Sequence, residues 1–260
     1  MNSARPNPQA APPQCSFCTF GFIVTGKGER EFLPSFFRSL AARAGCCNFV
    51  VLRRVGQRNP VTSPARRLRM VGSGQIIPTE DERDIAIPAR QYLRQQPCRF
   101  LVLIDDVEHA RRPFIAQVFA RYRAALDTLL APDEQHRASV HFFASMLEAY
   151  YFAHSTAVNV ALETNVLTAD FAGDVETIRH PKNELKQSFP GFDERVHGAK
   201  IVARLELDHV LSNPQTCAFL RSLFGWCVQR LLDHCPVYDA GLGAYFNLQG
   251  GVREPLTADQ

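Results

Sequence analysis

Apolar residues crowd positions 17–24 and stop at Thr25-Gly-Lys-Gly28; over residues 29–43 they recur at Phe32, Leu33, Phe36, Phe37 and Leu40. The first pattern predicts a buried strand and the second, with its three-to-four-residue spacing, a helix. The ordered part of the chain thus begins as strand, glycine-rich turn, helix. The alternation continues with a strand over 48–55 and a helix over 80–95, whose apolar side carries Ile85, Ala89, Tyr92 and Leu93. A third strand is expected over 99–104, a helix over 113–130 and a short fourth strand over 140–143. After Met146 the pattern changes to short helical segments, among them 181–189, 198–205 and 214–232, without a comparably clear strand.

Strands alternating with helices of these lengths predict an α/β fold: a parallel sheet flanked by helices, with right-handed crossovers. The expected organisation is a flexible N-terminal arm (1–16), an α/β domain (17–145), a helical C-terminal subdomain (146–232) and an irregular tail (233–260). In such a sheet, ligands bind just beyond the carboxyl ends of the strands, where successive loops meet.

Three acidic sites fall at that edge. Phe100-Leu-Val-Leu-Ile104 runs straight into Asp105-Asp106-Val107-Glu108, Glu29 follows the first strand, and Glu148 sits in Met146-Leu-Glu-Ala-Tyr-Tyr151 beyond the fourth. Hard divalent cations take oxygen ligands, and carboxylates from separate loops can hold one or two of them. On that reading Asp105, Asp106, Glu108 and Glu148 are metal ligands for Mg2+ or Mn2+, and Asp105, Asp106, Glu148 and Glu29 form the catalytic set. Each has a plainer explanation. The acidic run could be a polar loop capping the next helix, and Glu29, in the first turn of a helix, is favoured there by the dipole alone. Asp105 follows apolar residues and needs a partner, whether a metal, an arginine or backbone donors. Glu148, among Leu147, Ala149, Tyr150, Tyr151 and Phe152, could be half of a buried salt bridge to Arg111 or Arg112. Further along, Lys182 and Lys186 are four apart, as are Lys200 and Arg204, so each pair shares a helical face. With His180 and His197 they are candidate phosphate ligands, or else ordinary solvated faces.

A net charge of +3 over 260 residues does not by itself announce a nucleic-acid binder. Its distribution says more: Arg53, Arg54, Arg58, Arg66, Arg67 and Arg69 crowd a segment containing Pro60, Pro64, Gly72 and Gly74, a basic loop that contacts phosphates or is simply solvated. No stretch approaches the ~18–20 apolar residues of a spanning helix, and the Pro-, Ala- and Asn-rich start lacks a signal-peptide pattern. A soluble cytoplasmic protein without membrane contact is expected. Among eight cysteines, Cys15 and Cys18 have CxxC spacing that Cys46-Cys47 could complete as a zinc set, although Cys18 also starts an apolar strand, where a small buried residue is ordinary. Cys98, Cys217, Cys227 and Cys235 lie in apolar surroundings and are expected to be reduced core residues. Gly26-Lys-Gly28 lacks the GxxxxGK[ST] pattern of a nucleotide-binding phosphate loop.

Five blocks stand in order along residues 17–230: Ile23-Val-Thr-Gly-Lys-Gly-Glu-Arg-Glu-Phe-Leu33, Leu103-Ile-Asp-Asp106, Met146-Leu-Glu-Ala-Tyr-Tyr-Phe152, His180-Pro-Lys-Asn-Glu-Leu185 and Gly198-Ala-Lys-Ile-Val-Ala-Arg-Leu-Glu-Leu207. The ordered set resembles the TOPRIM-like domain-of-unknown-function 4276 family. The resemblance implies a TOPRIM-like sheet, magnesium-dependent chemistry on DNA or RNA phosphodiesters as in a nuclease, and a partner ATPase in defence against phage. The TOPRIM pattern places a glutamate immediately before the glycine after the first strand, and DxD after a later strand. Here the first position is Thr25; Asp105 matches the leading aspartate, but Val107 stands two residues on, and Asp106-Val-Glu108 offers a shifted DxE. A threonine hydroxyl neither acts as a general base at neutral pH nor neutralises a cation, which leaves Glu29, one helical turn away, as the substitute. The alternative is a non-catalytic TOPRIM-fold regulatory or effector subunit that binds a partner ATPase or nucleic acid.

Overall fold

Strands buried on both faces read as continuous apolar runs, and the runs of the first half of the chain assemble into one parallel sheet. In the computed structural model, which describes residues 14–55, 70–71, 75–76, 80–107, 109–235 and 241–254, the strands are β1 (Cys18–Val24), β2 (Cys47–Arg54), β3 (Met70–Val71), β4 (Gln75–Ile76), β5 (Arg99–Val107) and β6 (Ala138–Ala144). β3 and β4 make a separate antiparallel ribbon, and the other four form the parallel sheet in the order β2-β1-β5-β6. The helices are α1 (Lys27–Phe36), α2 (Arg38–Ala44), α3 (Glu80–Leu93), α4 (Ile115–Leu129), α5 (Pro132–Gln135), α6 (Ser155–Leu162), α7 (Pro181–Ser188), α8 (Glu194–Val202), α9 (Leu207–Val210), α10 (Ala218–His234) and α11 (Leu242–Tyr245).

Successive side chains of a strand point to opposite faces, so each strand feeds two layers. On one face Leu101 and Leu103 join Ile85 and Tyr92 of α3 and Tyr122 and Leu126 of α4. On the other, Phe100, Val102 and Ile104 join Phe32 and Phe36 of α1 and Leu223, Phe224 and Trp226 of α10, in a core that runs from Cys15 to Leu248. The helical second half therefore shares its core with the sheet. No helix among the described residues is long and apolar enough to cross a membrane.

Several elements differ from the sequence pattern for identifiable reasons. The helix expected over 29–43 breaks at Phe37 into α1 and α2, which lets both adjacent rings be buried: Phe36 lies edge-on to Phe143, while Phe37 stacks on Phe224 with centroids 4.5 Å apart. The third strand runs on to Val107 because β6 continues to pair with it, aligning Asp105 with Phe142, Asp106 with Phe143 and Val107 with Ala144. Asp105 and Asp106 thus belong to the ladder and not to a loop. α8 starts four residues before 198 because Asp193 caps it, accepting from the N–H groups of Arg195 and Val196 at 2.9 Å each. A 3-10 helix over Leu147–Ala153 and helix α6 fill a stretch to which the pattern assigned no element.

Cys15 and the described part of the segment after Asp233 also differ from expectation. Within the arm, the backbone N–H of Cys15 donates to the His234 carbonyl (2.7 Å), and Cys15 is joined to Cys98 by a disulfide. Cys98 is therefore not the reduced core residue its apolar surroundings suggested: the segment before β1 runs against the entry to β5, where Thr19 N–H bonds the Cys98 carbonyl (3.1 Å). Past Asp233, where an irregular tail was expected, α11 forms and Leu242, Phe246 and Leu248 are buried.

One buried cation holds this end of the molecule. Arg221 of α10 is fully buried and donates from Nε to the Thr216 carbonyl (2.7 Å), from Nη2 to the carbonyls of Leu211 (2.7 Å) and Asn213, and from Nη1 to the Asn247 carbonyl. A planar guanidinium fork can serve several carbonyls at fixed angles, which an ammonium cannot. The start of α10 is held by a buried carboxylate, Glu176, which accepts from the Tyr150 hydroxyl (2.8 Å) and from the N–H groups of Phe219 and Leu220 (3.2 Å each).

Candidate functional site

Strand alternation separates the two aspartates. Asp105 falls on the α3/α4 face and Asp106 on the α1/α10 face, where their ladder partners Phe142 and Phe143 lie. Asp105 is buried, and its Oδ1 accepts from Thr25 Oγ1–H (2.6 Å) and from the Asp106 N–H (2.9 Å), its Oδ2 from the Tyr122 hydroxyl (2.8 Å). Burial outweighs these donors and, together with the charge of Glu29, pushes the carboxyl up to about 6. Both oxygens of Asp105 are engaged within the protein, and Thr25 serves it as a donor.

Asp106 is held differently. Burial first, then the charges of Glu29 and Asp105, a hydrogen bond to Glu29 and the charge of Glu148 all raise its carboxyl well above the usual range. Glu29 reaches it from the first turn of α1 with its carboxylate folded back over Gly26: a β-carbon on Gly26 would lie 1.7 Å from Glu29 Oε2. A side chain at position 26 would displace the Glu29 carboxylate from this place. Glu29 is buried, a cost that attraction to the helix dipole does not explain, since burying a charge exceeds the ~1 kcal/mol of that attraction. Two buried oxygens, Glu29 Oε2 and Asp106 Oδ1, have no hydrogen-bond partner among the described residues.

The third acidic element arrives through a sharp turn. After β6, Ser145 adopts a left-handed backbone (φ 68°), a conformation that costs a non-glycine residue ~1 kcal/mol or more. The 3-10 helix that follows brings Glu148 to Lys182 of α7 (3.3 Å), and Lys182 also pairs with Glu194 of α8 (2.9 Å). Burial pushes Glu148 up to about 7; Lys182 pulls it down, while Glu194 and Glu29 add to the rise. Of the partners expected for Glu148, the Arg111 side chain lies outside the described residues and Arg112 donates to the Glu176 carbonyl (2.7 Å), while α7 packs against the 3-10 helix and supplies Lys182. The Tyr151 hydroxyl, buried beside these carboxylates, has no partner among the described residues.

Next to this cluster lies a cavity of about 480 Å3 lined by Lys27, Gly28, Arg30, Arg54, Glu194 and Arg195, among others. A register shift between Phe22 and Ile23 skips Leu52 of β2, so that Arg54 pairs with Val24 and shares its α1 face. Its buried Nη1 has no hydrogen-bond partner among the described residues.

The predicted site residues therefore divide. Glu29, Asp105, Asp106 and Glu148 converge at the carboxyl end of β5 and its neighbours. Lys182 joins them, but as the counter-ion of two carboxylates. Lys186, Lys200 and Arg204 are exposed and form no ion pair with the cluster among the described residues, and Arg204 turns back onto the Lys200 carbonyl (3.1 Å). Arg53 pairs with Asp84 (2.8 Å) at the surface. Glu108, and Arg58, Arg66, Arg67 and Arg69 of the basic segment, lie outside the described residues. Arg54, which the sequence placed in the basic loop, sits instead at the end of β2; sequence reasoning missed Tyr151, Glu194, Lys27, Arg30 and Arg195, of which Lys27 and Arg30, flanking Glu29 in the turn, had a local signal.

Among the described residues no group of three or more His, Cys, Asp or Glu side chains is arranged ready to hold a metal ion. The donor chemistry nonetheless suits a hard divalent cation, because two unpartnered carboxylate oxygens from separate elements, Glu29 Oε2 and Asp106 Oδ1, are buried together. No protein-family model, curated protein or solved structure matches the chain.

The raised carboxyls make a pH prediction. Asp105 (about 6), Glu148 and Glu176 (about 7 each) hold protons more tightly folded than unfolded. Their contribution to stability is fully present below the unfolded values near pH ~4 and is lost as pH rises through the folded values, between pH ~4 and ~7. Glu148→Gln, which removes one of these groups, is expected to raise the melting temperature relative to wild type by more at pH 7.5 than at pH 5, without divalent cations. An equal difference at both values would contradict a raised Glu148.

Proposed function

We propose that this chain is a TOPRIM-like protein that processes phosphodiesters of DNA or RNA with Mg2+ or Mn2+, acting as a nuclease, in the cytoplasm and with a partner ATPase in defence against phage. The observation that carries the reading is the pair of buried, unpartnered oxygens of Glu29 and Asp106 beside a cavity lined by Lys27, Arg30, Arg54 and Arg195 together with the carboxylates Glu31 and Glu194. Glu29 and Asp106 would hold the cation with Glu148 beside them, and when bound it supplies Lewis-acid stabilisation of charge on a phosphoryl oxygen. Lys27, Arg30, Arg54 and Arg195 bind backbone phosphates. Glu148, titrating near neutrality, accepts a proton from water, and Lys182 holds it in place. Asp105, fixed by Thr25 and Tyr122, positions Asp106 through the Asp106 N–H.

Incubation of the purified chain with single- and double-stranded DNA and with RNA, with and without its partner, tests the reading. Cleavage that requires Mg2+ or Mn2+ and stops on chelation is expected; no cleavage of any of these substrates with either cation and the partner present would exclude it. Arg54→Ala is expected to weaken nucleic-acid binding roughly tenfold and to lower the salt-dependence slope by about one, for the loss of one phosphate contact. Unchanged affinity in fluorescence anisotropy would remove the cavity from the binding surface.

One observation favours the second reading, a non-catalytic subunit: Thr25, where the TOPRIM pattern has glutamate, spends its hydroxyl on Asp105. Under it the chain binds nucleic acid or the ATPase without cutting, and Arg54→Ala weakens binding all the same.

A further inference from the structure

The cavity beside the acidic edge is built in a way that contact with a passing strand does not require. Lys27 and Arg30 line it from the first turn of α1, Arg54 from the end of β2 and Arg195 from the first turn of α8, so cations from three elements share one space of about 480 Å3. Lys27 and Gly28 also bring the start of a ten-residue helix to the wall. The first N–H groups of a helix have no acceptor within it, and Gly26 before them offers no side chain to cap them. The buried Nη1 of Arg54 has no partner among the described residues, and a buried donor left unpaired is costly. All of these are donors suited to an anion.

Two carboxylates in the lining narrow the choice of anion. Glu194 already has a counter-ion in Lys182 (2.9 Å), and its Oε1 stands 3.1 Å from where a β-carbon on Gly28 would lie, so α1 and α8 close together at that point. Glu31 offsets one of the four cations. The positive charge that remains, with the helix start, exceeds the single charge of a phosphodiester and suits a phosphate monoester, which carries about −1.5 to −2 near pH 7. A free phosphate would leave the carboxylates unanswered, whereas the sugar hydroxyls and base N–H groups of a nucleotide donate to them. Phe32 adds an apolar wall against which sugar or base packs. The volume lies within the ~300–1,000 Å3 of pockets that enclose one small ligand, which is room for a nucleotide and not for a groove that tracks a continuous strand.

We propose that this cavity seats the terminal nucleotide of a nucleic-acid strand by its phosphate monoester, so that the chain acts on phosphorylated ends. The proposal rests on the phosphodiester-processing reading and specifies its substrate. The cavity adjoins the carboxylates on two sides: Gly28 and Arg30 flank Glu29 on α1, and Glu194 shares Lys182 with Glu148 (3.3 Å). A strand held there by its end presents the adjoining phosphodiester to Glu29, Asp106 and Glu148.

The test measures binding to the full chain by fluorescence anisotropy in EDTA, where cleavage does not intervene. The probes are oligonucleotides of one sequence, as DNA and as RNA, with a 5′-phosphate, a 3′-phosphate or hydroxyls at both ends; unlabelled single-stranded circles serve as competitors. An end phosphate, at 5′ or at 3′, is expected to tighten binding about tenfold over the hydroxyl-ended strand, and circles to compete about tenfold more weakly than phosphorylated linear strands. The DNA and RNA arms identify which polymer supplies the end. Arg30→Ala and Arg195→Ala, at exposed positions, are expected to reduce the preference to about twofold or less. Equal affinity for phosphorylated, hydroxyl-ended and circular strands overturns the proposal, and so does a preference that both variants keep. Cleavage with Mg2+ separates the two claims. Circles cut as fast as phosphorylated linear strands would leave a nuclease without an end pocket and overturn the proposal, whereas an end preference in EDTA without cleavage of any strand would uphold the pocket and remove the nuclease reading.

Discussion

Asp106→Asn is expected to cut metal-dependent cleavage by about a hundredfold or more while making the protein more stable at neutral pH. Asparagine keeps the size of the side chain and removes its charge. The loss of activity follows because a neutral amide neither attracts a divalent cation nor completes a charged site with Glu29; removal of one preorganised electrostatic group costs about 10²–10³ in rate. The gain in stability follows because Asp106 is repelled by Glu29, Asp105 and Glu148 in a buried setting. Relief of such a buried like-charge contact is worth about 1–3 kcal/mol, which corresponds to roughly 2–4 °C in melting temperature per kcal/mol for a chain of this size. Opposite signs for activity and stability distinguish a functional carboxylate from a structural one. A variant that loses both together would place Asp106 among the residues that hold the fold.

Arg221→Met is expected to give the largest stability loss. The guanidinium satisfies the carbonyls of Leu211, Asn213, Thr216 and Asn247, and methionine of similar length satisfies none of them. Acceptors left buried without a donor cost about 1–3 kcal/mol each before relaxation, so that a total of about 3–5 kcal/mol is expected. The melting temperature should fall by roughly 10 °C or more, with hydrogen exchange accelerated first around residues 211–217 and 247–254. Arg221→Lys should recover only part of the loss, because one ammonium cannot reach carbonyls arranged on separate sides of a fork. A shift under 2 °C for the methionine variant would mean that water replaces the guanidinium at little cost.

The sheet was legible in the sequence because parallel strands covered on both faces must be apolar almost throughout, and Phe17 to Val24 and Phe100 to Ile104 have no other reading that fits their length. The acidic edge was legible for the same reason: a strand that ends in carboxylates marks where solvent or ligand begins. Element boundaries were less so. That Asp105 and Asp106 lie inside the ladder depends on how far β6 pairs, and the start of α8 depends on a cap at Asp193, a local contact that competes with equally plausible turns.

What the residues determined by themselves was the class of fold and the chemical character of its carboxyl edge, since both follow from local properties: apolar runs, helical spacing and the position of charge relative to a strand. What tertiary structure alone decided was which of those charges meet. A skipped residue in β2 turns Arg54 toward α1, a left-handed Ser145 swings Glu148 onto Lys182, the glycine at 26 lets Glu29 fold back to Asp106, and the end of α10 delivers Cys235 to Cys18 from 217 residues away. Each is a direction in space fixed by register, backbone handedness or long-range packing. None of these leaves a periodic trace in the chain, so spacing along the sequence cannot carry them.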